Sequence, residues 1–150
     1  MSAVLTPYAI PPIGAYWSGE GGLFCGIFQS HGKPRALILA EPYPARRRRW
    51  HEGMDWAAGL VIDGHRDFAL PDRHESWLLC ATMREHFHID LYWTRTRCRN
   101  DDTYCHDFLS GASLEYSNID EARVRACRSF VIDPHRLAPE KPSLQAGDAR

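Results

Sequence analysis

Four consecutive guanidinium side chains, Arg46, Arg47, Arg48 and Arg49, run directly into Trp50. Adjacent like charges repel unless they are solvated or matched by anions. As a functional element, such a run suits contact with phosphate, a sulfated glycan or an acidic protein patch. As a structural element, it is a solvated loop leading into a helix, where four positive charges oppose the helix dipole. Glu41, Glu52 and Asp55 are the nearby acids able to compensate. A second cluster holds Trp93, Arg95, Arg97, Arg99, Asn100, Asp101, Asp102, Tyr104, His106 and Asp107. Tyr, Trp and Arg supply most of the hot-spot energy in interfaces. Trp93, Arg95, Arg97, Asp101, Asp102 and Tyr104 are therefore the expected ligand-binding residues, with Arg46, Arg47, Arg48 and Arg49 as a second patch. The plainer alternative makes Trp93 a core residue and the Asp pair a turn.

Catalytic constellations are weaker. Five cysteines and eight histidines offer nucleophiles and bases, but nearly any such chain contains some Cys, His and Asp triple. Cys105, His106 and Asp107 are adjacent, and on a strand their side chains alternate between faces and cannot form a relay. Walker A, dinucleotide-binding and hydrolase-elbow signatures are absent. Asn100, Asp101 and Asp102 offer oxygens to calcium, which takes six to eight; Glu115 and Asp107 would have to be brought close. His86 and His88 stand two apart and do not share a helix face, and the other histidines and cysteines lack zinc-site spacing. No catalytic residue, metal or cofactor is expected.

The cysteines contain no CxxC pair, and the N-terminus lacks a basic region followed by a continuous apolar stretch. This predicts no secretory signal, a cytoplasmic location and mostly reduced, buried thiols. Cys98 and Cys105 flank a polar loop and could form a redox-dependent clasp. With 18 basic and 19 acidic side chains, the chain has no global pull toward nucleic acid or anionic lipid. A protein partner with an acidic surface is expected; a glycan is a second option. No apolar run approaches the roughly 18–20 residues of a membrane helix.

The elements that must position these groups follow from periodicity. Residues 23–29 and 35–40 are apolar runs separated by Ser30-His31-Gly32-Lys33, which is hairpin turn chemistry. Trp50, Met54, Ala57 and Val61 recur at helical steps over residues 50–61, with Gly64 beyond as a stop. Asp72 and Glu75 form a capping box, followed by the apolar stripe Leu79, Cys80, Met83 and Phe87 in a helix ending near His88. Strands are expected over residues 91–97, 104–109, 113–116 and 124–132, with Arg123, Arg125 and Arg128 at polar positions opposite Val124 and Ala126. This order predicts an α+β fold in one domain over residues 1–133, two helices packed against short antiparallel strands. Residues 134–150, with three prolines, are expected to form an irregular tail.

Four segments in this order resemble a known family. The first runs from Gly14-Ala15-Tyr16-Trp17 to Gly21-Gly22-Leu23-Phe24-Cys25-Gly26-Ile27. The second is Trp56-Ala57 followed by Asp67-Phe68-Ala69-Leu70-Pro71-Asp72-Arg73-His74-Glu75, similar to D-W-R-L-P-T-R-x-E. The third, Tyr92-Trp93-Thr94-Arg95-Thr96, is similar to Y-W-S-S-T. The fourth is Asp107-Phe108 and Gly111, then Val124-Arg125-Ala126-Cys127-Arg128, similar to V-R-A-V-R. Together they resemble the domain-of-unknown-function family related to the carboxy-terminal domain of bacterial collagen-like adhesins. Ala69 departs from the family's Arg, and Arg95 from its small hydroxyl residue. The resemblance implies a C-type-lectin-like fold with a binding surface in its loop-rich second half, and a phage or prophage context. The expected function is non-enzymatic recognition of a protein or glycan. The alternative is a phage-encoded stoichiometric inhibitor of a host protein machine such as a CRISPR effector (anti-CRISPR-like).

Overall fold

The computed structural model describes residues 9–136. Its strands are β1 (Tyr16–Trp17), β2 (Gly22–Ser30), β3 (Lys33–Leu39), β4 (Arg48–Arg49), β5 (Leu91–Arg99), β6 (Asp102–Asp107), β7 (Ser113–Ser117), β8 (Glu121–Ala122) and β9 (Cys127–Val131). Helices α1 (Trp50–Ala58) and α2 (Arg73–Thr82) lie between β4 and β5. The architecture is α+β. One sheet has the order β1-β2-β3-β9, a second pairs β4 with β8, and a third runs β5-β6-β7; their strand pairings are antiparallel. A parallel bridge between Tyr92 and Arg123 ties β5 to the segment after β8.

The β2–β3 hairpin forms where turn chemistry predicts it. His31 and Gly32 take positive φ values of 52° and 76°, the geometry of a two-residue loop matched to strand twist. Register shifts between Phe24 and Gly26, where Gly26 takes φ 121°, a bulge conformation that favours glycine. Leu37, Ile38 and Leu39 of β3 are fully buried because β2 and β9 flank this strand on either side. Each stabilises the fold by about 1.5–3 kcal/mol.

Both helices end earlier than the periodicity predicts. The α1 ladder stops at Gly59, whose N–H bonds Asp55 and Trp56 carbonyls. Gly64 instead closes a turn bridged by Ile62 and His65. The capping box of α2 forms: Glu75 N–H donates to Asp72 Oδ1 at 2.7 Å, and Asp72 N–H to Glu75 Oε1 at 2.8 Å. Met83 (φ −128°, ψ 22°) leaves the helical region, so the chain continues as a 3-10 turn, Arg84–His86, rather than as helix to His88.

The expected strand over residues 124–132 is also shorter, because residues 123–126 cross between sheets before β9 begins. Arg125 and Arg128 do not line a polar surface. They are 4% and 7% exposed. Arg125 donates to the carbonyls of His86 and Ala40 and stacks on Tyr43, while Arg128 pairs with Asp67 and Glu20. Of the expected tail, Pro134–Arg136 form a 3-10 turn; residues 137–150 lie outside the described residues. Among the described residues, no helix is long and apolar enough to cross a membrane.

Candidate functional site

The two sequence-selected clusters are largely consumed by the scaffold. Trp93 is fully buried, so it cannot meet a ligand; it packs in the core with Trp50, Phe68 and Val124. Its indole N–H donates to the Arg48 carbonyl at 2.7 Å. Arg95 is tied down as well. Its Nη1 donates to Glu75 Oε1 at 2.6 Å and to the Leu70 carbonyl at 2.7 Å, and Nη2 lies 3.4 Å from Asp72 Oδ2. The Glu75 side chain is only 5% exposed, and a buried carboxylate needs a cation this close.

Arg97 stacks over Trp50 and donates to the Asn100 carbonyl. Asp101 is exposed at the β5–β6 turn, and its carbonyl accepts the Asn118 N–H. Of the Asp pair, Asp101 sits at the turn, as its plainer reading expects, whereas Asp102 opens β6 between Arg99 and Ser117.

One arginine of the run is paired internally and two lie in a strand. Arg47 pairs with Asp90, which also accepts from Arg123 Nε at 2.9 Å. Burial alone would raise the Asp90 carboxyl, but hydrogen bonds from Arg47, the Leu91 N–H and Arg123 outweigh it and hold it below its usual range. Arg48 and Arg49 pair with Ala122 and Glu121 across β4–β8. Arg49 N–H donates to Glu52. Asp90 is thus the acid that pairs with a guanidinium of the run, while Glu52 receives the Arg49 backbone; neither Glu41 nor Asp55 forms an ion pair with it. Arg46 is exposed with no ion pair among the described residues.

Metal-capable groups gather at one place among the described residues. Ligand atoms of Cys98, Asp102 and Glu115 lie within 4.8 Å of one another. Arg99 Nη2 competes for Glu115 at 3.8 Å. Asp107, the other acid considered for calcium, is elsewhere, holding the turn through Leu109 N–H and Ser110 Oγ. All five thiols are free; Cys105 is in the core, apart from the Cys98 group. Burial pushes the Cys25 thiol up to about 12 and raises those of Cys105 and Cys127.

The open aromatic and basic surface lies instead along α2. A groove of about 480 Å³ separates it from the 110–113 turn, lined by Arg73, Trp77, Cys80, Ala81, Arg84 and residues 110–113. Arg73, Trp77 and Ala81 follow at four-residue steps on one face of α2, and Arg84 stands just beyond its end in the 3-10 turn. Leu79 and Met83 point into the core on the other face. Trp77 keeps 58% of its surface exposed.

Arg73 stacks over Tyr104, 4.0 Å from its ring centroid, so Tyr104 is the sequence-selected residue that adjoins this groove. Arg84 Nη2 lies 3.2 Å from Cys80 Sγ. Beneath Trp77 is His106, fully buried, with ring centroids 6.0 Å apart. Burial, reinforced by Arg84 and Arg73 and opposed by Asp107, holds its imidazole below the usual histidine range.

Trp77 and its arginines escaped selection because the apolar stripe drew attention to the buried face of α2. The available signal was a tryptophan off that stripe, four residues after Arg73. No family model matches the chain, and no curated protein sequence matches it.

Proposed function

We propose that the chain is a non-enzymatic binding module that recognises a protein partner through the Trp77 groove, on a C-type-lectin-like form of its α+β scaffold. The observation that carries this reading is Trp77, 58% exposed between Arg73 on the same face of α2 and Arg84 just beyond the helix end. Exposed Trp beside Arg is the composition of interface hot spots. Burial raises the thiols of Cys25, Cys105 and Cys127, which disfavours these three as nucleophiles, because the thiolate is the nucleophile.

Ala69 and Arg95, the two departures from the family pattern, line the same pocket of about 290 Å³ with Glu75.

Affinity capture from bacterial lysate with the wild type, Trp77→Ala and Ile119→Ser tests the assignment. A stoichiometric partner retained by wild type and Ile119→Ser but lost by Trp77→Ala is expected. Equal capture by all three, or Trp77-dependent binding to a glycan array without protein capture, would overturn it. Capture of a CRISPR effector subunit would specify the module as a stoichiometric inhibitor.

A further inference from the structure

The groove carries information about its ligand's chemistry. Six buried side-chain polar atoms among the described residues have no hydrogen-bond partner, and four of them belong to Arg73 (Nε), His106 (Nδ1 and Nε2) and Ser113 (Oγ). Buried polar atoms are almost always satisfied in folded proteins, so the groove wall around Arg73 and Ser113 is short of polar partners. Arg73 and Ser113 line the groove, and His106 is the strand partner of Ser113. Arg73 and Arg84 belong to the arginines with no carboxylate partner among the described residues.

The rest of the groove is lined by Trp77, Cys80, Ala81, Ser110, Gly111 and Ala112, a mostly apolar wall. The 110–111 turn sits close: a Cβ on Gly111 would come within 3.9 Å of Arg84 Nη2.

Resting on the protein-recognition reading above, we propose that this groove docks an acidic protein segment carrying a carboxylate at each end of an apolar side chain. One carboxylate meets Arg73, the other meets Arg84, and the apolar side chain lies on Trp77 and Ala81. Arg73 and Ala81 stand roughly 12 Å apart along α2, and Arg84 lies just beyond the end of the helix. In an extended peptide, first and fifth side chains point the same way and span about 13 Å. Long Glu and Arg side chains close the remainder. The commitment to carboxylate follows from the walls: the ligand must bring charge and an apolar body together, as acidic protein segments do. Planar guanidinium forks match carboxylate oxygens two at a time.

The test titrates the full 150-residue chain with acetyl-Glu-Ser-Leu-Ser-Glu-amide, following the Trp77 indole and the arginine Nε resonances by NMR. Acetyl-Gln-Ser-Leu-Ser-Gln-amide and inorganic phosphate are the comparison probes. Shifts confined to Trp77, Arg73, Arg84 and residues 110–113 are expected, with the Gln peptide weaker by roughly tenfold, the worth of two exposed charge contacts. Arg73→Ala with Arg84→Ala should reproduce that loss, and Arg84→Lys should recover part of it; unchanged thermal unfolding shows that these surface variants fold.

Equal binding of both peptides, or no perturbation of the groove by the Glu peptide, would overturn the carboxylate assignment. Phosphate binding more tightly than the Glu peptide would replace the acidic protein segment with a phosphorylated one or a nucleic acid. If the peptide fails while Trp77-dependent capture of a protein persists, only the ligand chemistry falls. If capture is also independent of Trp77, the binding-module reading falls with it.

Discussion

The Trp93 indole N–H donates to the backbone carbonyl of Arg48 across 2.7 Å. This bond joins the two clusters that sequence composition marks as recognition surfaces, and it makes each a structural support of the other. Arg48 is held in β4, and Trp93 anchors that short strand to β5 from inside the core. Trp93→Phe removes the donor, leaves the carbonyl with one fewer partner and opens space in the core. We expect it to destabilise the fold by about 2–3 kcal/mol in chemical denaturation, without changing partner capture.

Arg95 is predicted to act on stability rather than recognition. Arg95→Met leaves Glu75 buried without its cation. Loss of a fully buried pair costs about 3–5 kcal/mol. The Arg95 side chain is 36% exposed, which lets water reach the site and brings the expectation down to about 2 kcal/mol. Adding Glu75→Gln removes the stranded charge, so the double variant should be more stable than the sum of the single losses. Additive losses in that double-mutant cycle would show that the pair is not coupled.

Gly53 marks a close approach of α1 to the core. A Cβ there would lie 2.6 Å from Val124 Cγ1, and a β-branched side chain has little freedom to move aside. Helix propensity favours alanine by about 1 kcal/mol, but overpacking costs about 1–3 kcal/mol. Gly53→Ala is therefore expected to be destabilising in thermal unfolding, and Val124→Ala in the same chain should recover part of the loss. A stabilised Gly53→Ala would contradict this packing.

His106 makes stability depend on pH. Its native imidazole titrates below the usual histidine range because burial disfavours its charge, with Arg84 and Arg73 adding to the effect against Asp107. The unfolded imidazole protonates near about pH 6.5. Between that value and the lower native one, the unfolded chain holds more protons. The contribution of His106 is therefore full above about pH 6.5 and declines as pH falls, by at most about 1.4 kcal/mol per pH unit. Denaturation of wild type and His106→Gln at about pH 7.5 and 5.5 checks this. The wild type's advantage should shrink at the lower pH; a constant difference would contradict it.

The parts of the fold legible in the sequence are those set by local chemistry. Ser30-His31-Gly32-Lys33 and the Asp72–Glu75 capping box each specify their geometry within four residues, and both form. What the sequence hid was set by tertiary partners. Arg125 and Arg128 look like surface residues, and only the folded chain brings the Ala40 and His86 carbonyls, Asp67 and Glu20 to receive them. Arg47 gives no hint that Asp90, far along the chain, will pair with it. The candidate site was hidden for a related reason. Composition singled out dense clusters of Arg and aromatic residues, but density attracts internal pairing as readily as ligands. The groove is built from a sparser face of α2 and a turn that meet only in the fold.

The central claim is that recognition happens at Trp77. Site-specific photo-crosslinking tests it most directly, with a benzophenone amino acid placed at Ala81, which lines the Trp77 groove, and, separately, at the exposed Ile119 outside it. The account predicts a single protein crosslink from position 81, suppressed by excess acetyl-Glu-Ser-Leu-Ser-Glu-amide and lost with Trp77→Ala, and none from position 119. Crosslinking from position 119 with none from position 81 would contradict it.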